Sequence, residues 1–141
     1  MNSGRDAQIA AFLAASGWGG CLAEPLAGDA SARRYLRLRR GPDRAVLMDA
    51  DPRRGEQVQP FLAMGGWLRA QGYSAPAVLA ADAPLGLLLL EDLGDGLFAR
   101  MVAANPGCEA QLYQAATGFL ADLHRQTPPG FLAAGDGPAL A

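Results

Sequence analysis

The sequence predicts an α+β fold in which strands and helices occupy separate stretches of chain. Short apolar segments bounded by Gly and Pro turns fill residues 21–49 and 78–91, some alternating with period two and one apolar throughout. Residues 97–126 instead repeat their apolar side chains at helical spacing.

The first helix is expected from about residue 4 to 16, with Ser3 and Asp6 spaced as a capping box, Ile9, Phe12 and Leu13 on one face, and Gly17 as its stop. CLAEPLA (21–27) and RYLRLR (34–39) then read as strands. In the second, Leu36 and Leu38 face one way and Arg37 and Arg39 the other. RGPDR turns the chain and AVLMD (45–49) returns, which makes an antiparallel meander. A helix over about 58–71 tolerates Pro60 only in its first turn, and Gly65 suits a close approach to a sheet. VLAAD (78–82), the turn APLG and LLLLE (87–91) form a second hairpin whose last strand is apolar enough to be covered on both faces. Helices follow at 97–104 and about 108–126; the final dozen residues carry no periodicity and are expected to be loosely ordered.

Composition sets the outer limits. With 141 residues, half of them apolar, the chain can build a packed core without staples. No apolar run reaches the length of a membrane helix and no signal-peptide pattern opens the chain, so a cytoplasmic location is expected. Cys21 and Cys108 are spaced for neither metal nor redox chemistry and are expected as reduced, buried thiols. All twelve basic residues are arginine. Chemistry that needs a lysine, such as a Walker A loop or a Schiff base, is excluded within this chain. A net charge of −2 argues against a general nucleic-acid binder.

Two stretches can carry chemistry. In GDASARRYLRL (28–38) a Gly-led loop of small residues offers main-chain N–H groups and the Ser31 hydroxyl to a polyphosphate, with Arg33 or Arg34 to neutralise charge. The residues alone favour a plainer reading, a hairpin turn beside a solvated arginine face. In GLLLLEDLGDG (86–96) a buried strand stops on Glu91, Asp92 and Asp95. Beyond Leu90 the main chain becomes a connector with unpaired groups, matched to the donor and acceptor edge of a purine. Asp95 is expected to cap the helix that begins near Leu97. That cap weakens a further reading, in which the three carboxylates form a metal or hydrolytic site.

LAGDASARRYLRLR, AVLMDADP, VQPFLAMGGWLRAQGYSAPAVLAAD, GLLLLEDLGD and FLADLHRQ together resemble the aminoglycoside phosphotransferase family of the protein-kinase-like superfamily. Within it they look most like the bacterial anomeric kinases of N-acetylmuramate and N-acetylglucosamine, which serve cell-wall recycling. The resemblance implies a nucleotide-binding lobe over residues 1–92, with five antiparallel strands and a helix. It implies a hinge and the first helices of an incomplete second lobe over 93–129, and a tail over 130–141. ATP and Mg²⁺ are the implied cofactors of the complete enzyme and an amino sugar its substrate. Gly28, Asp29, Ala30 and Ser31 would cover the phosphates, and Glu91, Asp92 and Leu93 would form the hinge, with the Glu91 carbonyl and Leu93 amide on adenine.

The departures from the family pattern are specific. Its third-strand lysine aligns with Met48, so Glu56 is not assigned the partner's role, and Arg34 is the substitute for charge neutralisation. No HGD-type catalytic loop, Asn five residues on, or later metal-binding Asp occurs in these residues. His124-Arg125 is followed by Gln126 where a base would stand, and is read as the last turn of a helix. The expectation is therefore the amino-terminal part of a sugar kinase, inactive alone and prone to self-association through Leu97/Phe98/Met101 and Leu112/Phe119/Leu123. The alternative is a noncatalytic nucleotide-binding or interaction module of the same descent.

Overall fold

The structure is a computed structural model that describes residues 3–27 and 31–130. Helix α1 (Ser3–Ala15) precedes strands β1 (Leu22–Pro25), β2 (Arg34–Arg40) and β3 (Asp43–Asp49). A 3₁₀ turn (Pro52–Arg54) leads to α2 (Gln59–Ala70), then β4 (Val78–Asp82) and β5 (Leu87–Glu91). Helix α3 (Phe98–Ala104), a second 3₁₀ turn (Pro106–Cys108) and α4 (Glu109–Arg125) complete the described chain. The five strands form one antiparallel sheet in the order β1-β2-β3-β5-β4. The α+β class, the five strands and the four helices are those the sequence predicts.

The sheet is covered on both faces, and this explains the leucine run. From one side α1 brings Phe12 and Leu13, with Trp18 beyond its end, onto Leu38, Ala45, Leu47, Leu87 and Leu89. On the other, Phe61 and Leu62 of α2, with Val58, pack onto Met48, Ala50, Leu88 and Leu90. Alternate β5 leucines therefore enter different cores, and a strand with two buried faces has no polar position. Each such leucine contributes about 1.5–3 kcal/mol. The edge strand β4 leaves Val78 and Leu79 half in solvent.

The connections follow local chemistry. Pro60 falls in the first turn of α2, as its missing N–H requires. Gly65 departs from expectation: nothing lies near the place its Cβ would occupy, and the residue borders a cleft instead of a close helix–sheet contact. Gly86 is the glycine that the fold needs. Its φ of +68° disfavours any side chain, and an added Cβ would run into the Ala50 carbonyl, while the Ala50 amide donates to the Gly86 carbonyl at 2.9 Å. Cys21 and Cys108 are free thiols, half-buried where full burial was expected.

The chain divides into two compact units, the first ending at Leu93 and the second beginning at Gly94. In the second unit, α3 and α4 meet each other and the 3₁₀ turn between them. Leu97, not the expected Asp95, is the N-cap residue of α3, and its own side chain makes no cap bond. Asp95 lies two residues earlier, where its carbonyl accepts from the Leu97 amide and its carboxylate pairs with Arg100 at 3.5 Å. His124 closes the last turn of α4, its Nδ1 2.7 Å from the Leu120 carbonyl.

Two outcomes are expected from this packing. Gly86→Ala loses about 1–3 kcal/mol in urea unfolding, because both the left-handed backbone and the Ala50 carbonyl resist the methyl; unchanged stability would show that the turn yields freely. Leu97, Phe98, Met101, Phe119 and Leu120 are all exposed. Apolar side chains so gathered favour association, so light scattering of the chain is expected to rise in apparent mass with concentration, and a constant monomer mass would contradict this.

Candidate functional site

The connector after β5 is fixed by two carboxylates that point to different partners. Glu91 donates its amide to the Ala77 carbonyl at 2.8 Å, accepts the Ala77 amide on Oε2 at 2.9 Å, and lies 3.8 Å from Arg69. Asp92 reaches back to β2: Arg37 Nη2 donates to Oδ1 at 3.0 Å and Nε stands 2.8 Å from Oδ2, with both side chains over nine-tenths buried. One hydrogen bond with a second close charged contact, out of solvent, holds the connector against β2. Leu93 then emerges 57% exposed, outside any strand or helix, and its amide donates to no acceptor among the described residues.

The alternation of β2 sorts its arginines between the two faces. Tyr35 packs into the α2 core and Arg37 lies on the same face, opposite Leu36 and Leu38 on the α1 side. Arg37 was read from sequence as part of a solvated face. That reading fails because α2 covers this side too, and Arg37 is 7% exposed.

At the other end of β2, neighbouring arginines part company. Arg34 turns to the α1 side, where its Nε and Nη2 donate to Asp49 Oδ2 at 2.9 and 2.5 Å. Asp49 Oδ1 accepts Nε and Nη2 of Arg5 at 3.0 and 2.6 Å, so one buried carboxylate binds two guanidinium groups. Arg33 turns to the α2 side. Its Nε donates to Glu56 Oε2 at 2.8 Å, while Glu56 Oε1 accepts the Ala32 amide at 3.1 Å. The hydrogen bond to Glu56 raises the Arg33 guanidinium above its ordinary value. Ser31 Oγ accepts the Arg33 amide at 3.2 Å. Gly28, Asp29 and Ala30, the rest of the predicted phosphate loop, lie outside the described residues.

Met48 is fully buried between Tyr35 and the leucines of β5, so its thioether serves packing. The carboxylate-site reading of Glu91, Asp92 and Asp95 fails, since the first two are engaged by Ala77, Arg69 and Arg37. Among the described residues no three His, Cys, Asp or Glu side chains gather to hold a metal ion. Sequence reasoning missed Arg5 and Asp49, read Arg37 as solvated and assigned Glu56 no role. For Arg37 the available signal was its strand parity with Tyr35.

Residues 23–140 match the model of the phosphotransferase enzyme family, and the chain belongs to that family. A Caulobacter vibrioides protein named N-acetylmuramate/N-acetylglucosamine kinase is 40% identical over 158 aligned residues, covering 94% of this chain and 43% of the relative. Proteins of the same name from Pseudomonas aeruginosa and Pseudomonas putida are each 34% identical, over 139 and 103 residues. They align with 96% and 71% of this chain, and with 40% and 30% of their own lengths. The chain thus spans between 30% and 43% of the length of these curated relatives. No helix among the described residues is long and apolar enough to cross a membrane.

One pH response follows from the turn after β3. Asp51 accepts the Arg53 guanidinium and amide, and the Arg53 hydrogen bond lowers its carboxyl from 3.8 to about 2. A depressed folded-state value favours folding whenever the carboxylate is ionised in the unfolded chain, so the contribution is complete above about pH 4 and disappears as pH falls through 2. The stability gap between the parent chain and Asp51→Asn in urea titrations is therefore expected to be constant above pH 4 and to close toward pH 2. A gap that widens on acidification would contradict the pairing.

Proposed function

We propose that the chain is the nucleotide-holding part of an ATP-dependent phosphotransferase acting on a sugar hydroxyl, the acceptor being an amino sugar of the kind named in its relatives, in the service of cell-wall recycling. The observation that carries this reading is Leu93, 57% exposed and with an amide that donates to no acceptor among the described residues, just after a strand buried on both faces. A purine edge pairs with such a peptide group. The Glu91 and Asp92 anchors hold that peptide still, which removes ordering cost from binding.

The other half of the reading is the loop of Gly28 to Ser31, which covers the phosphates with main-chain N–H groups. Mg²⁺ bound with the nucleotide supplies charge neutralisation in phosphoryl transfer. The described residues contribute no gathered set of ligands for it. They also contain no HGD-type base, so the proton of the acceptor hydroxyl is not theirs to take. What these residues do is bind and orient the donor.

Isothermal titration tests this directly. The folded chain is expected to bind ATP, with adenosine as a competitor. Leu93→Pro deletes one amide donor and is expected to weaken both ligands about tenfold with little change in the unfolding midpoint. A folded parent chain that binds neither ligand overturns the reading.

A further inference from the structure

We propose that Arg33, and not Arg34, is the cation that meets the nucleotide's polyphosphate, with Glu56 holding it in place until the phosphates arrive. This rests on the nucleotide reading above and adds the residue that reading lacks. Kinase-like phosphoryl transfer needs fixed positive charge on the donor's phosphates. This chain has no lysine, and Met48, at the aligned position, is neutral and sealed in the core.

Arg34 is badly placed for the task. It lies on the α1 side of the sheet and, although its own side chain is 54% exposed, its Nε and Nη2 are both spent on Asp49, whose side chain is 4% exposed. Drawing Arg34 away would remove one of two partners from a buried carboxylate, which is costly.

Arg33 meets each requirement that Arg34 fails. It shares the α2 side with Tyr35 and Arg37, and lines a cleft there with Phe61, Met64 and Leu68. Its amide is bonded to Ser31 Oγ, so it sits at the foot of the Gly-led loop. Its pair with Glu56 is part-exposed, at 26% and 15%, so exchanging that carboxylate for a phosphate leaves a charge less deeply buried than Asp49 would be. Glu56 keeps the Ala32 amide after the exchange, and the loop's foot stays anchored.

Spacing along β2 makes the contact selective. Arg37 marks the connector end through Asp92, and Arg33 marks the loop end four residues away, about 13 Å of extended chain. A ligand whose base lies at Leu93 reaches Arg33 only through its phosphates. Adenosine is too short to do so.

The test compares ATP and adenosine affinities in the parent chain, Arg33→Met, Arg33→Lys and Arg34→Met, with unfolding midpoints for each. Arg33→Met is expected to weaken ATP about tenfold or more and to leave adenosine within about twofold, a discrimination that a merely structural role would not produce. Arg33→Lys recovers part of the loss. Arg34→Met is expected to lower the midpoint while preserving the ATP-to-adenosine ratio. Unchanged ATP affinity in Arg33→Met, equal loss of both ligands, or an ATP-selective loss in Arg34→Met instead overturns the assignment while the nucleotide site stands. Absence of both ligands from the folded parent chain overturns the site and the assignment together.

Discussion

The first unit is organised around the double burial of β5. Four consecutive leucines can be fully withdrawn from water only if each face of the sheet has its own cover, and α1 and α2 supply one each. The strand order follows. A strand apolar on both faces belongs inside the sheet, so β5 lies between β3 and β4, and the partly exposed β4 takes the edge. The greasy run must also end abruptly, since any polar group within it would be buried without a partner. That end is where Glu91 and Asp92 turn to Ala77 and Arg37, and where Leu93 leaves the core.

Covering both faces has an electrostatic consequence for the strands beside β5. In a sheet with one wet face, the alternating arginines of β2 would sit in water and contribute little. Here a cover lies on each side, and the guanidinium groups are held by carboxylates even where, as for Arg34, the side chain stays half-exposed. Arg37 has Asp92, Arg34 shares Asp49 with Arg5, and Arg33 at the strand's mouth has Glu56. The pairs differ in depth, from the sealed Arg37–Asp92 contact to the part-exposed Arg33–Glu56 contact. Depth bears on which can exchange partners: a part-exposed pair leaves a less costly charge when one member departs than a sealed one does.

The elements were legible in the sequence because their signals are local. Period-two alternation in RYLRLR, the Gly-bounded LLLLE, and Pro60 in the first turn of a helix each depend on a few neighbouring residues. The connector was legible for the same reason, since a fully apolar strand that stops on carboxylates marks its own end. The partners of those carboxylates were not. Asp92 finds Arg37 across 55 residues of chain and Asp49 finds Arg5 across 44, and no local pattern encodes either distance. Gly65 was misread because a small residue on a helix signals close approach only if something approaches, and here the space is open. Asp95 was misread by two residues, since the chain bends at Asp95 and the N-cap falls at the still extended Leu97.

The use of guanidinium for every one of these pairs sets how the molecule can be modified. Enzymes that acylate side-chain amines find no substrate group here, so the ion pairs of the sheet are closed to that route of control. Methylation or deimination of arginine could alter them, and such an enzyme would reach the half-exposed Arg34 or the part-exposed Arg33 far more readily than the enclosed Arg37.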